Sequence, residues 1–63
     1  MIKEVLNLIV KNFINGGKID YEIENGSEGK ILVLDLIDSN NITTNTLRIY
    51  YINNNEIAGI LID

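Results

Sequence analysis

The chain has 63 residues, five lysines and arginines against nine acids, a formal net charge of −4, and neither cysteine nor histidine. Without cysteine there is no disulfide and no thiolate nucleophile, and without histidine the usual general base near neutral pH is missing. The acidic balance argues against direct binding to nucleic acid. We therefore expect a single domain over residues 1–63, not an enzyme, with no cofactor, no metal and no small-molecule substrate.

The first residues predict where the protein is found. Met1 is followed directly by Ile2-Lys3-Glu4-Val5, which lacks the basic start and the small-residue cleavage site of a signal peptide. No apolar run approaches the roughly 20 residues that a membrane-spanning helix needs. We expect a cytoplasmic protein with no membrane partner.

The first predicted element is a helix over residues 2–15, IKEVLNLIVKNFIN, which ends where Asn15-Gly16-Gly17 supplies residues that tolerate positive φ. Apolar residues recur in it with a period of about 3.6 and form a stripe along one side of the helix. The residues of this stripe are Ile2, Val5, Leu6, Ile9 and Phe13. Three further apolar residues, Leu8, Val10 and Ile14, lie outside it, so the apolar face is broad and is either deeply covered or in contact with something else.

Four strands are predicted after the helix. Residues 18–24, KIDYEIE, alternate between apolar and acidic side chains, as a strand with one buried face does. The Asn25-Gly26 pair signals a hairpin, although NGSEG can form a loop longer than two residues. Residues 30–37, 46–52 and 57–63 form the other strands, separated by the polar segments SNNITTN and NNNE. The predicted fold class is α+β: one N-terminal helix packed on a four-stranded antiparallel meander sheet, in the order α-β-β-β-β.

Loop lengths decide which face of the sheet each side chain occupies. With an even loop in the first hairpin, the helix-facing residues of the first two strands are Ile19, Tyr21, Ile23, Leu32, Leu34 and Leu36. An even loop at 53–56 adds Leu47, Ile49 and Tyr51 beside Ala58, Ile60 and Ile62. An odd loop at 25–29 would instead turn Asp35 toward the core, with Arg48 or a tyrosine as its partner, and this alternative stays open here.

The sheet face without a helix, called the open face below, combines apolar and charged residues. It carries Ile31, Val33, Ile37, Tyr50, Ile52, Ile57 and Leu61 together with Asp20, Glu22, Asp35 and Arg48. An apolar patch on a small protein usually marks an interface, so we predict binding to a second copy, as a homodimer, or to another protein. Asp35 would meet water or Arg48 and penalise wrong partners. The predicted partner-binding residues are Ile31, Val33, Asp35, Arg48, Tyr50 and Ile52, and Asp20, Glu22 and Glu24 form an acidic rim.

The acidic rim also admits other interpretations. Alternate residues of a strand stand about 6.5–7 Å apart, too far for three carboxylates to hold one cation. The same spacing approximates every second phosphate of a nucleic-acid strand, and Glu28, Asp35 and Asp38 extend the line. In size, acidity and composition the chain resembles small phage-borne inhibitors, including many anti-CRISPR proteins, and this resemblance implies a nucleic-acid-handling enzyme as partner. A non-catalytic accessory subunit of an enzyme is a third alternative.

Overall fold

The structure, a computed structural model, describes residues 2–52 and 56–63, and the side chain of Ile52 lies outside that description. Helix α1 spans Ile2–Ile14, and the strands are β1 (Lys18–Asn25), β2 (Lys30–Ile37), β3 (Thr43–Ile52) and β4 (Glu56–Ile62). All neighbouring strands pair antiparallel, in the order β1-β2-β3-β4. The predicted helix followed by a four-stranded meander sheet is therefore confirmed. The predicted turn NNNE has its first three residues outside the described ones.

The helix ends in a Schellman motif at the predicted stop. The amide of Gly17 donates to the carbonyl oxygen of Asn12 at 2.8 Å, and the amide of Gly16 donates to that of Phe13 at 3.0 Å. These are the two bonds that define the motif. Gly16 has a φ of 79°, a left-handed conformation that glycine adopts without the steric cost of a side chain.

A close approach fastens the helix end to the sheet. The side chain of Asn12 is buried, and its Nδ2 donates to the carbonyl oxygen of Lys18 at 3.0 Å. A Cβ at Gly17 would lie 2.5 Å from the carbonyl oxygen of Ile37 and would collide with the Asn12 amide. The helix and the beginning of β1 can therefore approach this closely only with glycine at position 17.

The first hairpin settles the orientation of β2. Its loop has four residues, 26–29, and Asn25 pairs with Lys30. Tyr21 consequently pairs with Leu34, as the even-loop prediction requires, and Asp35 lies on the open face. The alternative of an odd loop, which would have turned Asp35 toward the core, is wrong.

Strand β3 begins earlier than predicted. Thr43, Thr44 and Asn45 were expected in a loop, but a β-bulge lets Leu36 pair with Asn45 and Ile37 pair with Thr43. The bulge leaves Thr44 unpaired in the register, and its Oγ1 donates to the carbonyl oxygen of Leu36 at 3.3 Å. The polar composition of this segment suggested a loop, whereas threonine also fits well in strands.

A second bulge lies between β3 and β4. The predicted neighbours Leu47 with Ile62 and Ile49 with Ile60 are found. Beyond them the register shifts, so that Tyr50 pairs with Gly59 but Tyr51 pairs with Ile57. Because paired residues share a face, Ile57 lies on the helix side with Tyr51. Both predictions for this end, Ala58 beside Tyr51 and Ile57 on the open face, are wrong because of the extra residue.

The core lies at one end of the sheet. Leu36 and Leu47 are the fully buried large side chains among the described residues, and Val5 of the helix packs on them. The residues that surround this cluster are Leu8, Ile9, Ile19, Leu34, Ile60 and Ile62. All of those from the sheet belong to the predicted helix-facing side.

The close approach at Gly17 generates a stability prediction. Gly17→Ala should lower the free energy of unfolding by about 1–3 kcal/mol, because the new methyl group must displace the Ile37 carbonyl and the Asn12 side chain. Gly59→Ala is the matched control, since nothing lies within 4 Å of a Cβ there. It should leave stability unchanged or raise it by less than about 1 kcal/mol. Urea unfolding followed by circular dichroism measures both, and equal effects would contradict the packing described.

Candidate interaction surfaces

The predicted partner-binding residues meet on the open face. Ile31 pairs with Tyr50, and Val33 pairs with Arg48, across β2 and β3. These residues are largely covered in the single chain: Val33 is only 5% exposed, and Ile31, Arg48 and Tyr50 are partly buried. Strand neighbours thus already cover Val33, which leaves it little surface for a partner. The last predicted residue, Ile52, has its side chain outside the described part of the molecule.

Asp35 finds its partner on the neighbouring strand. Thr46 Oγ1 donates to Asp35 Oδ1 at 2.9 Å. The predicted partner, Arg48, instead donates to Asp63 Oδ2 at 2.7 Å, in an ion pair whose side chains are 37% and 58% exposed. Among the described residues no buried side-chain nitrogen or oxygen lacks a partner. The charge in the apolar stretch of β2 is therefore accommodated by a threonine hydroxyl and partial exposure.

The acidic rim lies along the edge strand β1. Asp20, Glu22 and Glu24 are exposed, and the register places Asp20 directly opposite Asp35. Side chains so paired have Cβ atoms about 4.5–5.5 Å apart, at which like charges destabilise a sheet. Among the described residues no three acids are placed to hold a metal ion.

The Asp20–Asp35 pair generates the second prediction. Asp20→Asn should raise the free energy of unfolding at pH 7 by a few tenths of a kcal/mol, because it removes repulsion between carboxylates on adjacent strands. Glu24→Gln is the matched control, because Glu24 lies opposite Ile31. It removes the same charge without relieving a directly opposed pair. Chemical denaturation at low salt measures both, and a gain for Glu24→Gln as large as for Asp20→Asn would contradict the cross-strand account.

The helix exposes much of its apolar face. Val5 is buried and Ile9 partly so, but the other residues of the predicted apolar stripe, Ile2, Leu6 and Phe13, are 57%, 54% and 59% exposed. Of the two alternatives for this broad apolar face, deep coverage within the chain is therefore wrong. The strip that meets the sheet runs through Val5, Leu8, Ile9 and Asn12, which rotates the contact away from the centre of the apolar stripe. Val10 and Ile14 are exposed as well.

The far end of the helix-facing side of the sheet is also exposed. Tyr21 and Ile23 of β1 were predicted to meet the helix, yet they are 72% and 61% exposed. They pair with Leu34 and Leu32, which are partly buried. The helix packs on the other end of the sheet, at Leu36, and so leaves Tyr21 and Ile23 uncovered.

The exposed flank of the helix faces this uncovered end. Leu8, Lys11 and Asn15 line a depression together with Asp38 and other residues around the loop between β2 and β3, so that flank faces the loop. The opposite flank therefore faces the far end of the sheet. We call the combined surface the helix-side patch: Ile2, Leu6, Val10, Phe13, Tyr21 and Ile23. None of these residues is charged.

The molecule has more surface than a compact chain of its mass. Its accessible surface is 4623 Å², whereas a folded monomer of 7.1 kDa is expected to expose about 4100 Å². Its radius of gyration is 12.3 Å, against about 11 Å for a compact domain of this length. The excess of about 500 Å² is consistent with a chain whose single helix covers only part of its sheet.

No protein family, curated protein or solved structure matches this chain. Within residues 2–52 and 56–63, no helix has the length and apolar character needed to cross a membrane.

Proposed function

We propose that this protein is a small, non-catalytic interaction module of the cytoplasm that binds itself or another protein through an apolar surface. The observation that carries the proposal is the helix-side patch, whose six apolar residues are each more than half exposed. Several exposed large apolar residues on one side of a small protein are typical of an interaction site. The chain has no cysteine and so no disulfide, and disulfides are rare in cytoplasmic proteins.

The acids support a non-catalytic role. Asp35 accepts a hydrogen bond from Thr46, and Asp38 Oδ1 accepts bonds from the amides of Asn40 and Ile42 at 2.9 and 3.0 Å. Both carboxylates are thereby engaged in holding the fold. The acids of the rim stand on an exposed edge strand rather than in a cleft that could enclose a substrate.

The open face remains a second predicted binding surface. Its residues Ile31, Tyr50 and Leu61 are less exposed than those of the helix-side patch, although Leu61 is 46% exposed. Leu61 and Leu6 therefore form a matched pair. They are the same residue type with similar exposure, and they lie on opposite sides of the sheet.

This pair tests the proposed function. Leu6→Lys should abolish self-association or the capture of a partner protein, because it places a charge in the apolar contact. Leu61→Lys makes the same change on the open face and should leave binding intact. Light scattering measures self-association, and affinity capture with the immobilised protein measures binding to others. Circular dichroism checks that each variant is folded. If neither variant alters any binding, the apolar-surface proposal is wrong.

Mimicry of nucleic acid by the acidic rim is a second candidate function. Asp20, Glu22 and Glu24 are exposed at alternate positions along one edge strand, and Glu28 is exposed in the adjoining loop. These positions give a line of negative charges about 7 Å apart, which favours mimicry of a phosphate backbone. Asp35 and Asp38, which the sequence added to the line, are engaged within the fold, so the line is shorter than expected.

The mimic can be tested by salt and charge reversal. Binding to a basic nucleic-acid enzyme should be competed by DNA and should weaken markedly above about 0.1 M salt. Replacing Glu22 and Glu24 together by lysine should abolish that binding, whereas Leu6→Lys should preserve it. Binding that ignores both salt and the charge reversal would contradict mimicry.

A further inference from the structure

The helix side of the sheet has room and chemistry for a second helix. Strands β1 and β2 have eight residues each and are therefore about 26 Å long, and helices packed side by side need about 8–10 Å each. The one helix of this chain packs at the end of the sheet that holds Leu36 and contacts residues of all four strands there. The other end of the same face contains Tyr21 and Ile23, and the exposed flank with Leu6 and Phe13 borders it.

We propose that this place is filled by the helix of a second copy of the chain, in a two-fold symmetric dimer. The inference rests on the proposed function and names its partner. In a two-fold dimer the same surface serves on both subunits. Leu6 and Phe13 of each helix then cover Tyr21 and Ile23 of the other copy. The chain carries both halves of such a contact, an exposed apolar helix flank and an uncovered apolar end of the sheet.

The distribution of charge favours a second copy as the occupant. The helix-side patch contains no charged residue, so it offers nothing that would select a partner of opposite charge. Two copies of a chain with a net charge of −4 repel each other, and the repulsion is smallest when their acids lie far apart. Asp20, Glu22 and Glu24 alternate with Tyr21 and Ile23 along β1, and they therefore stand on the opposite face. Copies that meet through their helix sides keep their acidic rims apart.

The excess surface of the chain is a large part of the area that a dimer needs. Each partner of a standard protein interface buries about 800 Å². The excess of about 500 Å² over a compact monomer is more than half of that area. Burying about 500 Å² per chain in a dimer would bring the exposed surface close to that of an ordinary folded protein.

Sedimentation equilibrium from about 1 µM to 1 mM tests the dimer. We expect the wild-type chain to dimerise, and Leu6→Lys and Ile23→Lys each to raise the dissociation constant by at least about 30-fold. Leu61→Lys should change it by less than about threefold. Leu6 and Ile23 lie on different elements and both are exposed in the single chain. A loss caused by both variants, with circular dichroism unchanged, therefore reports their shared contact rather than local unfolding.

Two results would overturn the dimer. One is a wild-type chain that remains monomeric over the whole range. The other is a dimer that Leu61→Lys disrupts and Leu6→Lys spares, which assigns self-association to the open face or to the β4 edge. If the chain is monomeric but captures a different protein in a Leu6-dependent way, the dimer is wrong and the interaction module stands. If no binding depends on Leu6, Ile23 or Leu61, the proposed function fails as well.

Discussion

The contact of Val5 with Leu36 and Leu47 holds the helix on the sheet, and its position at one end of the sheet determines the rest of the surface. The helix cannot shift along the sheet, because Asn12 is bonded to the carbonyl of Lys18 and Gly17 is pressed against β2. A short helix fastened at one end leaves the other end bare. The apolar surface is therefore a consequence of how tightly the helix is joined to β1.

The side chains on the two faces of the sheet differ in how far the chain itself provides their contacts. On the open face, the Asp35–Thr46 bond and the Arg48–Asp63 pair connect polar groups within the chain, and Val33 is covered by its neighbours. On the helix side, Tyr21 and Ile23 have no covering layer. Apolar side chains form no hydrogen bonds, and only burial removes their contact with water. A contact on the helix side would therefore bury more apolar surface than one at Val33 on the open face. The sequence had predicted that the helix covers this side.

Some features of this fold follow from local patterns. The alternation in residues 18–24, the Asn25-Gly26 pair and the glycines after the helix depend on nearest neighbours, and each is found where expected. The two bulges were not predictable in this way. They depend on which residues of neighbouring strands pair after a polar loop, and the composition of the loop does not specify this. One extra residue, Ala58, is enough to move Ile57 to the other face. The exposed apolar surface on the helix side was not predictable from local patterns either, because it depends on where the helix packs on the sheet.

The sequence by itself determined the order of the elements and the placing of the acids on one side of β1, because hydrophobic periodicity acts locally. The face on which Asp35 lies depended on the loop length of the first hairpin, which only the structure decided. The sequence also predicted that the apolar face of the helix is broad. Only the tertiary structure decided which part of that face is used, since the helix has a broad apolar arc and the sheet contacts a narrow strip of it. The position of that strip depends on the crossing of helix and sheet, which the Asn12–Lys18 bond and the space around Gly17 determine together.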